Sequence, residues 1–498
     1  MRNHAGWADV LRDSYLSYLR FLMPFISMLL PRLSAIVAGS LVSLLVVGCM
    51  STPPSQIEEL QTDVPEAWDT AASGGEFNPQ LWMQDFGDPQ LVEIMREALQ
   101  HNFGLMAAAA RRDASVAGTL SARSGMWPSI TASANKNQSR RSSATGIQQT
   151  PVNRSYSTNA RFNWELDLWG ALRNGYKGDL ADAEAALADF EATRLSIAGR
   201  TAQAWYNAIE AEQQLALAKR TLEAFEESKR NVEEGFEQGI GTALGVRLIR
   251  ANLASSASTL EQRIRGRESA VRNLEVLLGR YPAGELAVRT EWPEIGTNVP
   301  AGLPTELLLR RPDVLSAERS LAATQQRKYE SKKAMLPNLG ITLTRGTNTR
   351  DTADLFDLDA RRVWTRVWSV SMPLFQGGRI RANIARSEAL HEQAVANYTG
   401  TVLTAFREVE DALTEQDSFA RDYEFQQVAT EESQAAESLA WEQYESGLAD
   451  ITTVLDAVRR SLNAQRSLIT TTNRRIQSRI DLYLALGGGF SFELAEEN

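Results

Sequence analysis

The chain has 498 residues, of which 43% are hydrophobic and 23% are charged, and its formal net charge is −10. This composition is typical of a folded protein and not of a disordered one. The acidic balance, with no basic stripe to neutralise phosphates, argues against nucleic acid as a partner.

The first 48 residues are predicted to be a signal peptide. Residues 29–47 form an apolar run, which either a transmembrane helix or a cleaved signal peptide would produce. Because this run ends directly before a cysteine, we favour the signal peptide. The leader is long, and translation from Met23 or Met28 would give a signal of ordinary length.

Cys49 is the only cysteine, so disulfides within the chain are impossible. It ends the segment Val46-Val47-Gly48-Cys49, which has the form of a bacterial lipobox. We predict that Cys49 is lipidated on its thiol and its amino group, and an incidental cysteine is the alternative. Met50 follows it in place of an aspartate, a pattern that predicts sorting to the outer membrane.

After a lipidated linker at 49–80, the sequence contains two related halves. Short segments recur at an offset of about 208 residues, as an internal duplication would produce. The matched segments include Trp127-Pro128-Ser129-Ile130 with Leu336-Pro337-Asn338-Leu339, and Phe236-Glu237-Gln238-Gly239 with Tyr444-Glu445-Ser446-Gly447. The predicted units are a first repeat at 81–281, a linker at 282–306, a second repeat at 307–490 and a C-terminal tail at 491–498.

Two spans without proline are predicted to hold pairs of long helices. No proline occurs between Pro151 and Pro282 or after Pro373, and a proline inside a helix costs about 3 kcal/mol. In residues 172–237, apolar side chains recur at steps of three and four for about eight heptads, which predicts a helix roughly 100 Å long. A cytoplasmic antiparallel coiled coil would show the same seam.

Alternation with a period of two predicts β-strands between these helices. Residues 155–168 alternate between apolar and polar side chains, and residues 129–137 do so more weakly. A polar loop joins them into a hairpin at 129–168, and the second half repeats this layout in a hairpin at 338–374. Strands of about 9–11 residues with one apolar and one polar face are typical of a membrane β-barrel.

Three tryptophans on the apolar strand faces, Trp164, Trp364 and Trp368, are candidates for an aromatic girdle at the membrane interface. Core tryptophans of a β-sandwich are the alternative. Four strands cannot close a membrane barrel, because the small bacterial barrels have at least eight and an open edge in hydrocarbon leaves backbone groups unpaired. We therefore expect a homotrimer that shares one barrel of twelve strands around a polar lumen.

Four short segments, in a fixed order, carry a likeness to known proteins. They are residues 81–91 (LWMQDFGDPQL), 310–314 (RRPDV), 373–379 (PLFQGGR) and 484–489 (LALGGG). They resemble hallmarks of outer membrane efflux proteins, the TolC-like channels, and specifically of the lipoprotein branch called the NodT family. The resemblance covers about residues 50–490.

The resemblance implies an α+β fold with an internal two-fold repeat. A transmembrane β-barrel, four strands from each chain of a trimer, would be continued by a long periplasmic α-helical barrel. It also implies a tripartite assembly with a periplasmic adaptor protein and an inner-membrane pump, commonly of the resistance-nodulation-division type.

Two aromatic-x-x-glycine turns fall where the long helices must reverse at the periplasmic tips. Phe236 and Gly239 mark the first turn, and Tyr444 and Gly447 mark the second. Glycine adopts positive φ at little cost, so a simple helix C-cap explains the glycines. The functional interpretation is that the tips dock the adaptor and close the tube.

The segment at 450–460 resembles the family segment that carries the constriction. By that resemblance Asp456 and Arg459 match a gating Asp and Arg, and Tyr444 matches a tip aromatic. We hypothesise that an Asp–Arg link across helices holds the tip closed until the adaptor binds. A solvated helix face with incidental charges is the alternative.

The sequence therefore predicts a passive duct for small molecules or drugs, anchored by lipid in the periplasmic leaflet of the outer membrane and extending into the periplasm. Two alternatives stay open: the duct of a type I protein secretion system, and a coiled-coil lipoprotein without a pore. No enzyme, cofactor or metal site is predicted. The two histidines that follow the signal peptide, His101 and His391, are expected at helix surfaces.

Overall fold

The computed structural model describes residues 53–56, 60, 64–65, 68–69, 86–140, 152–239, 241–293, 304–356 and 361–488. The predicted signal peptide, Cys49 and the C-terminal tail lie outside these ranges. Residues Pro53–Asn498 form one compact unit, to which the description below refers.

Helices and strands follow the same order in both repeats. The first repeat contains α1 (Pro89–His101), α2 (Phe103–Ser124), β1 (Ser129–Ser139), β2 (Asn153–Leu166), α3 (Ala171–Glu237) and α4 (Ala243–Leu277). The second contains α5 (Pro304–Arg310), α6 (Pro312–Lys333), β3 (Asn338–Thr349), β4 (Arg362–Ser371), α7 (Arg379–Glu445) and α8 (Ile451–Ala485). Three of the four pairs of corresponding helices have equal lengths: 22 residues for α2 and α6, 67 for α3 and α7, and 35 for α4 and α8.

The helices α3 and α7 are each about 100 Å long at 1.5 Å per residue. Each begins after a glycine in the left-handed region, Gly170 with φ 74° and Gly378 with φ 87°, a conformation that a Cβ disfavours. Helix α3 packs against α4 and also contacts α2, α6 and α8, whereas α7 packs against α8 and α6. None of the described helices contains a stretch long and apolar enough to cross a membrane.

The four strands form one antiparallel sheet in the order β1-β2-β3-β4. The second hairpin therefore continues the sheet that the first begins, and β1 and β4 are its edges. Strand β4 ends at Ser371, earlier than the alternation to residue 374 predicts. The reason is that Pro373 has no N–H to donate to a neighbouring strand.

Among the described residues, two main hydrophobic cores and a small cluster of Ala181, Ala322 and Ala323 hold the helices together. The larger core includes Trp205 of α3, Tyr398 of α7 and Ile480 of α8, so that both repeats contribute to it. Replacing a fully buried residue such as Trp205 with alanine would cost about 3–5 kcal/mol. The smaller core lies where α3, α4, α7 and α8 meet near their turns and consists of Phe225, Val232, Val246, Ile249, Ala440, Ile451, Val454 and Val458. We call this smaller core the tip core.

One expectation about the histidines is wrong. His101 is exposed at the end of α1, but His391 is buried, with 6% of its surface exposed. It lies on the side of α7 that packs against α6, where its Nδ1 is 3.5 Å from Oγ1 of Thr324. The sequence of α7 alone does not show which side of the helix is covered by α6, and for that reason the burial of His391 was not predicted.

Candidate export channel

The two faces of the sheet differ in polarity, as a channel wall requires. Residues directly opposite each other on neighbouring strands lie on the same face, so the register assigns each strand residue to a face. The apolar face carries Ile130, Tyr156, Phe162, Trp164, Leu166, Leu339, Ile341, Leu343, Trp364, Trp368 and Val370. The polar face carries Thr131, Ser133, Asn135, Asn159, Asn163, Thr342, Thr344, Thr365 and Ser369, with Val363 and Val367 as apolar exceptions.

The three tryptophans predicted for an aromatic girdle lie on the apolar face in different surroundings. Trp164 and Trp368 both pair with Ile341 and therefore share one row across the sheet. Trp364 and Trp368 are 61% and 74% exposed. Trp164 is half-buried, and its Nε1 donates a hydrogen bond of 3.1 Å to the carbonyl of Met126. The girdle itself stays a prediction.

A hydrogen-bonded corner joins β2 to α3. The carboxylate of Asp167 accepts hydrogen bonds from the backbone N–H groups of Leu172 at 3.1 Å and Arg173 at 2.9 Å. It therefore satisfies two of the N–H groups that a helix start leaves unpaired. The Nζ of Lys333, at the end of α6, donates to the carbonyl of Gly170 at 3.0 Å. The corner is thus held by both repeats.

At the opposite ends of the long helices, both turns close on a glycine with positive φ, Gly239 at 78° and Gly447 at 71°. In the second turn the N–H of Leu448 donates to the carbonyl of Gln443 at 2.8 Å. Such bonds satisfy carbonyls that a helix end leaves unpaired, and glycine makes the reversal possible. Phe236 precedes the first turn and is 44% exposed.

Side chains cap the helices that return from these turns. Asp450 Oδ1 accepts hydrogen bonds from the N–H groups of Thr452 at 2.8 Å and Thr453 at 3.1 Å. The Thr452 hydroxyl and these N–H groups hold the pKa of Asp450 below its usual range. In the first repeat, Oγ1 of Thr242 accepts from the N–H of Gly245 at 3.1 Å. Both caps are of the kinds preferred at helix starts.

The two hairpins of one chain pack together at the tip. A Cβ on Gly245 of α4 would lie only 3.1 Å from Cγ2 of Ile451 at the start of α8. Glycine at this position therefore lets the two helix starts approach closely. On the partner helix α7, the rings of Trp441 and Tyr444 meet edge to face, with centroids 6.0 Å apart, and both pack against the tip core.

The predicted gate residues Asp456 and Arg459 lie together on α8. Asp456 forms ion pairs with Arg459 and with Arg460, the latter at 2.8 Å. Hydrogen bonds from Arg460 and Arg459 hold the pKa of Asp456 below its usual range. Within one chain both pairs join residues of the same helix. The link across helices that we hypothesise stays a prediction. Arg459 is 72% exposed, so its side chain is accessible to a neighbouring copy.

Sequence reasoning missed the role of Arg311 in the RRPDV segment. This buried side chain contacts Asp313 at 2.7 Å and Glu408 of α7 at 2.6 Å, and it donates to the carbonyl of Ala485 at the end of α8 at 3.3 Å. Burial lowers the pKa of Arg311, but the bonds with Asp313 and Glu408 outweigh burial and hold it above its usual value. Arg311 therefore ties α6, α7 and α8 together.

Asp88 plays a comparable part in the first repeat. Its Oδ1 accepts from the N–H of Gln90 at 3.1 Å and caps α1, while its Oδ2 accepts from Nε1 of Trp205 at 2.9 Å. Arg289, in the segment after α4, lies 3.2 Å from the same carboxylate. The FGDP sequence gives a signal for the cap, but nothing in it points to Trp205 or Arg289.

Across the described ranges, no group of three or more His, Cys, Asp or Glu side chains is placed to hold a metal ion. What the residues form is a wall with two unlike faces, two long helical hairpins and a packed tip.

Comparison with known proteins gives matches over nearly the whole chain. Residues 94–280 and 303–488 match the outer membrane efflux protein family. Outer membrane protein OprJ of Pseudomonas aeruginosa is 30% identical over 91% of this chain and 95% of its own length. The probable outer membrane lipoprotein SilC of Salmonella typhimurium is 26% identical over 90% and 97%. The solved structure of the outer-membrane channel OprN superposes with a TM-score of 0.77 at 27% identity, covering 89% of this chain and 98% of that one.

Proposed function

The chain belongs to the outer membrane efflux protein family, and on that premise we propose that three copies form the exit duct of a tripartite efflux system. Its fold is TolC-like, α+β with a four-stranded sheet and long helices. The protein is an outer membrane protein. The duct is passive, and small molecules or drugs pass through it from an inner-membrane pump and a periplasmic adaptor protein.

The observation that carries the proposal is a sheet of four strands with unlike faces, whose hairpins lead into helices of 67 residues. In hydrocarbon the backbone groups at the edges β1 and β4 need partners. Threefold symmetry supplies them, because β4 of each copy can pair with β1 of the next. The apolar faces then meet lipid, and the polar faces surround water.

The tips are proposed as the surface that binds the adaptor. Three large apolar side chains are exposed at the turns: Phe236 and Leu244 in the first hairpin and Leu448 in the second. Apolar side chains grouped on an exposed surface are typical of interaction sites. The glycines at 239 and 447 fix the shape of both turns, so the same two turns would form the docking surface in each copy.

We also propose Asp456 and Arg459 as a gate at the tip and Cys49 as a lipid anchor. Asp456 and Arg459 face solvent next to the tip core, where three copies would bring their charges close together. In that setting Arg459 can exchange its partner on α8 for a partner on the next copy. Cys49 would hold the chain in the periplasmic leaflet through its lipid, in addition to the barrel.

Two measurements on the purified full chain test the channel. Electrophoresis in sodium dodecyl sulfate should show a trimer without heating and a monomer after heating, and the unheated trimer should conduct ions in planar bilayers. Heat-dissociated protein is the matched control and should not conduct. A monomer in mild detergent with no conductance would contradict the proposal. A deletion strain should in addition become more sensitive to some members of a panel of toxic compounds.

A further inference from the structure

The apolar face of the sheet carries an unexpected positive charge. By the strand register, five basic residues lie among its apolar side chains: Lys136, Arg154, Arg345, Arg362 and Arg366. Within the described strands this face has no acidic residue. The polar face carries one residue of each sign, Arg161 and Glu165. The positive charge is therefore concentrated on the face that would contact lipid, where charged residues are least expected.

Such residues need a physical reason. An arginine or lysine on the lipid face of a barrel costs about 2–4 kcal/mol at the bilayer midplane and about 0–1 kcal/mol near the interfaces. Arg345, Arg362 and Arg366 are exposed, and among the described residues none of them has an acidic partner. An anionic group from outside the chain would remove the cost.

Three of the arginines are neighbours of one tryptophan in the strand register. Arg345 lies directly opposite Trp364 in the register, at a Cα distance of about 5 Å. Arg362 and Arg366 flank Trp364 on the same strand and the same face, each about 7 Å away. The guanidinium of Arg366 is 5.1 Å from the centre of the Trp364 ring. We call these four residues the arginine cluster.

The position of the cluster along the strands indicates which leaflet it meets. At the end next to the helices, the apolar face carries Leu166, Leu339 and Val370, followed by the row of Trp164, Ile341 and Trp368. All five basic residues lie beyond that row, toward the strand ends that are farthest from the helices. In the proposed channel the helices extend into the periplasm, so these strand ends face outward and the cluster lies in the outer leaflet.

We propose that the arginine cluster binds a phosphate group of a lipid in the outer leaflet, with the acyl chains of that lipid lying along the apolar face. Arginine suits this ligand because its planar group donates two parallel hydrogen bonds to phosphate oxygens. Long side chains can also lift their charge toward the headgroups while their stems stay in hydrocarbon. The inference rests on the proposed function, which places this face against lipid.

The full-length trimer in neutral detergent is titrated with diphosphoryl lipid A and with the same lipid after removal of both phosphates, and bound lipid is counted by native mass spectrometry. The wild-type protein should bind the phosphorylated lipid about tenfold more tightly, a difference of about 1.4 kcal/mol. This comparison needs no variant and is unaffected by misfolding. Equal affinity for the two lipids overturns the proposal.

The residues are then tested with a variant carrying Arg345→Gln, Arg362→Gln and Arg366→Gln, and Arg161→Gln on the polar face is the matched control. The triple variant should lose the preference for phosphate, and the control should keep it. Equal loss in both overturns the assignment. Inorganic phosphate alone is titrated as well, and binding of it as tight as that of the lipid would show a free-phosphate site instead.

Conductance in phosphatidylcholine bilayers is recorded on the same preparations. It distinguishes a failure of the lipid site from a failure of the channel function. A trimer that conducts but does not distinguish the two lipids rejects the arginine cluster as a lipid site and leaves the channel intact. A chain that forms no conducting trimer rejects the proposed function itself.

Discussion

Replacing Asp88 with alanine should open helix α1 locally. The Asp88 side chain is fully buried. Losing the N-cap costs about 1 kcal/mol, and leaving the buried Nε1 of Trp205 without an acceptor costs about 1–3 kcal/mol. Arg289 is 24% exposed and can be partly rehydrated, so its contribution is small. The sum is about 3 kcal/mol, which corresponds to roughly a 150-fold change in an opening equilibrium.

Hydrogen–deuterium exchange read by mass spectrometry measures this change in peptides from α1. Asp88→Ala should raise exchange there by roughly two orders of magnitude. Asp88→Asn keeps an oxygen for the cap but places an amide opposite the indole N–H, so it should raise exchange by about tenfold, a cost of about 1.4 kcal/mol. The control is Asp113→Asn on α2, whose carboxylate is 64% exposed, and it should have no effect. A uniform rise over all helices, or less than a fivefold rise in α1, would refute the reasoning.

Three further outcomes are expected. Replacing Asp456 and Arg459 together with alanine should raise single-channel conductance in planar bilayers, and an unchanged conductance would reject the gate without affecting the fold. Burial raises the pKa of Asp313, but the hydrogen bond and charge of Arg311 and the N–H of Val314 together hold it below its ordinary value of 3.8. The unfolded chain therefore binds this proton first, so thermal stability should fall as the pH drops below that value, and less so in Arg311→Met. Cys49→Ser should reduce the amount of protein in the outer-membrane fraction while purified trimers keep their conductance.

The local periodicity of apolar residues in the sequence predicts most of the helices and strands. The seam at 172–237 predicted the long helix that the structure places at Ala171–Glu237, because one apolar stripe against one partner repeats at each turn. The alternation at 155–168 likewise predicted β2, which covers Asn153–Leu166. Both patterns depend on neighbours a few residues away, and such neighbours are visible in a sequence.

Contacts between distant segments were not predictable in this way. Arg311 was noticed only as part of a hallmark, since its partners Glu408 and Ala485 lie on two other helices. His391 was misplaced for the same reason, because only the packing of α6 on α7 makes its side a buried one. The Asp456–Arg459 pair was predictable from the spacing of three residues on one helix, whereas the link across helices depends on other copies of the chain and stays a prediction.

Because α3 and α7 have equal lengths, the turns of the two repeats lie at the same distance from the sheet. Each helix carries its turn about 100 Å from the sheet at 1.5 Å per residue, so both turns lie at one level, where Gly245 meets Ile451. One residue inserted in α3 alone would move its turn by about 1.5 Å and rotate it by about 100°, which would break that contact. An insertion or deletion in α3 can therefore be tolerated only if α7 changes by the same number of residues. The two halves of the duplicated gene have had to keep these helix lengths equal.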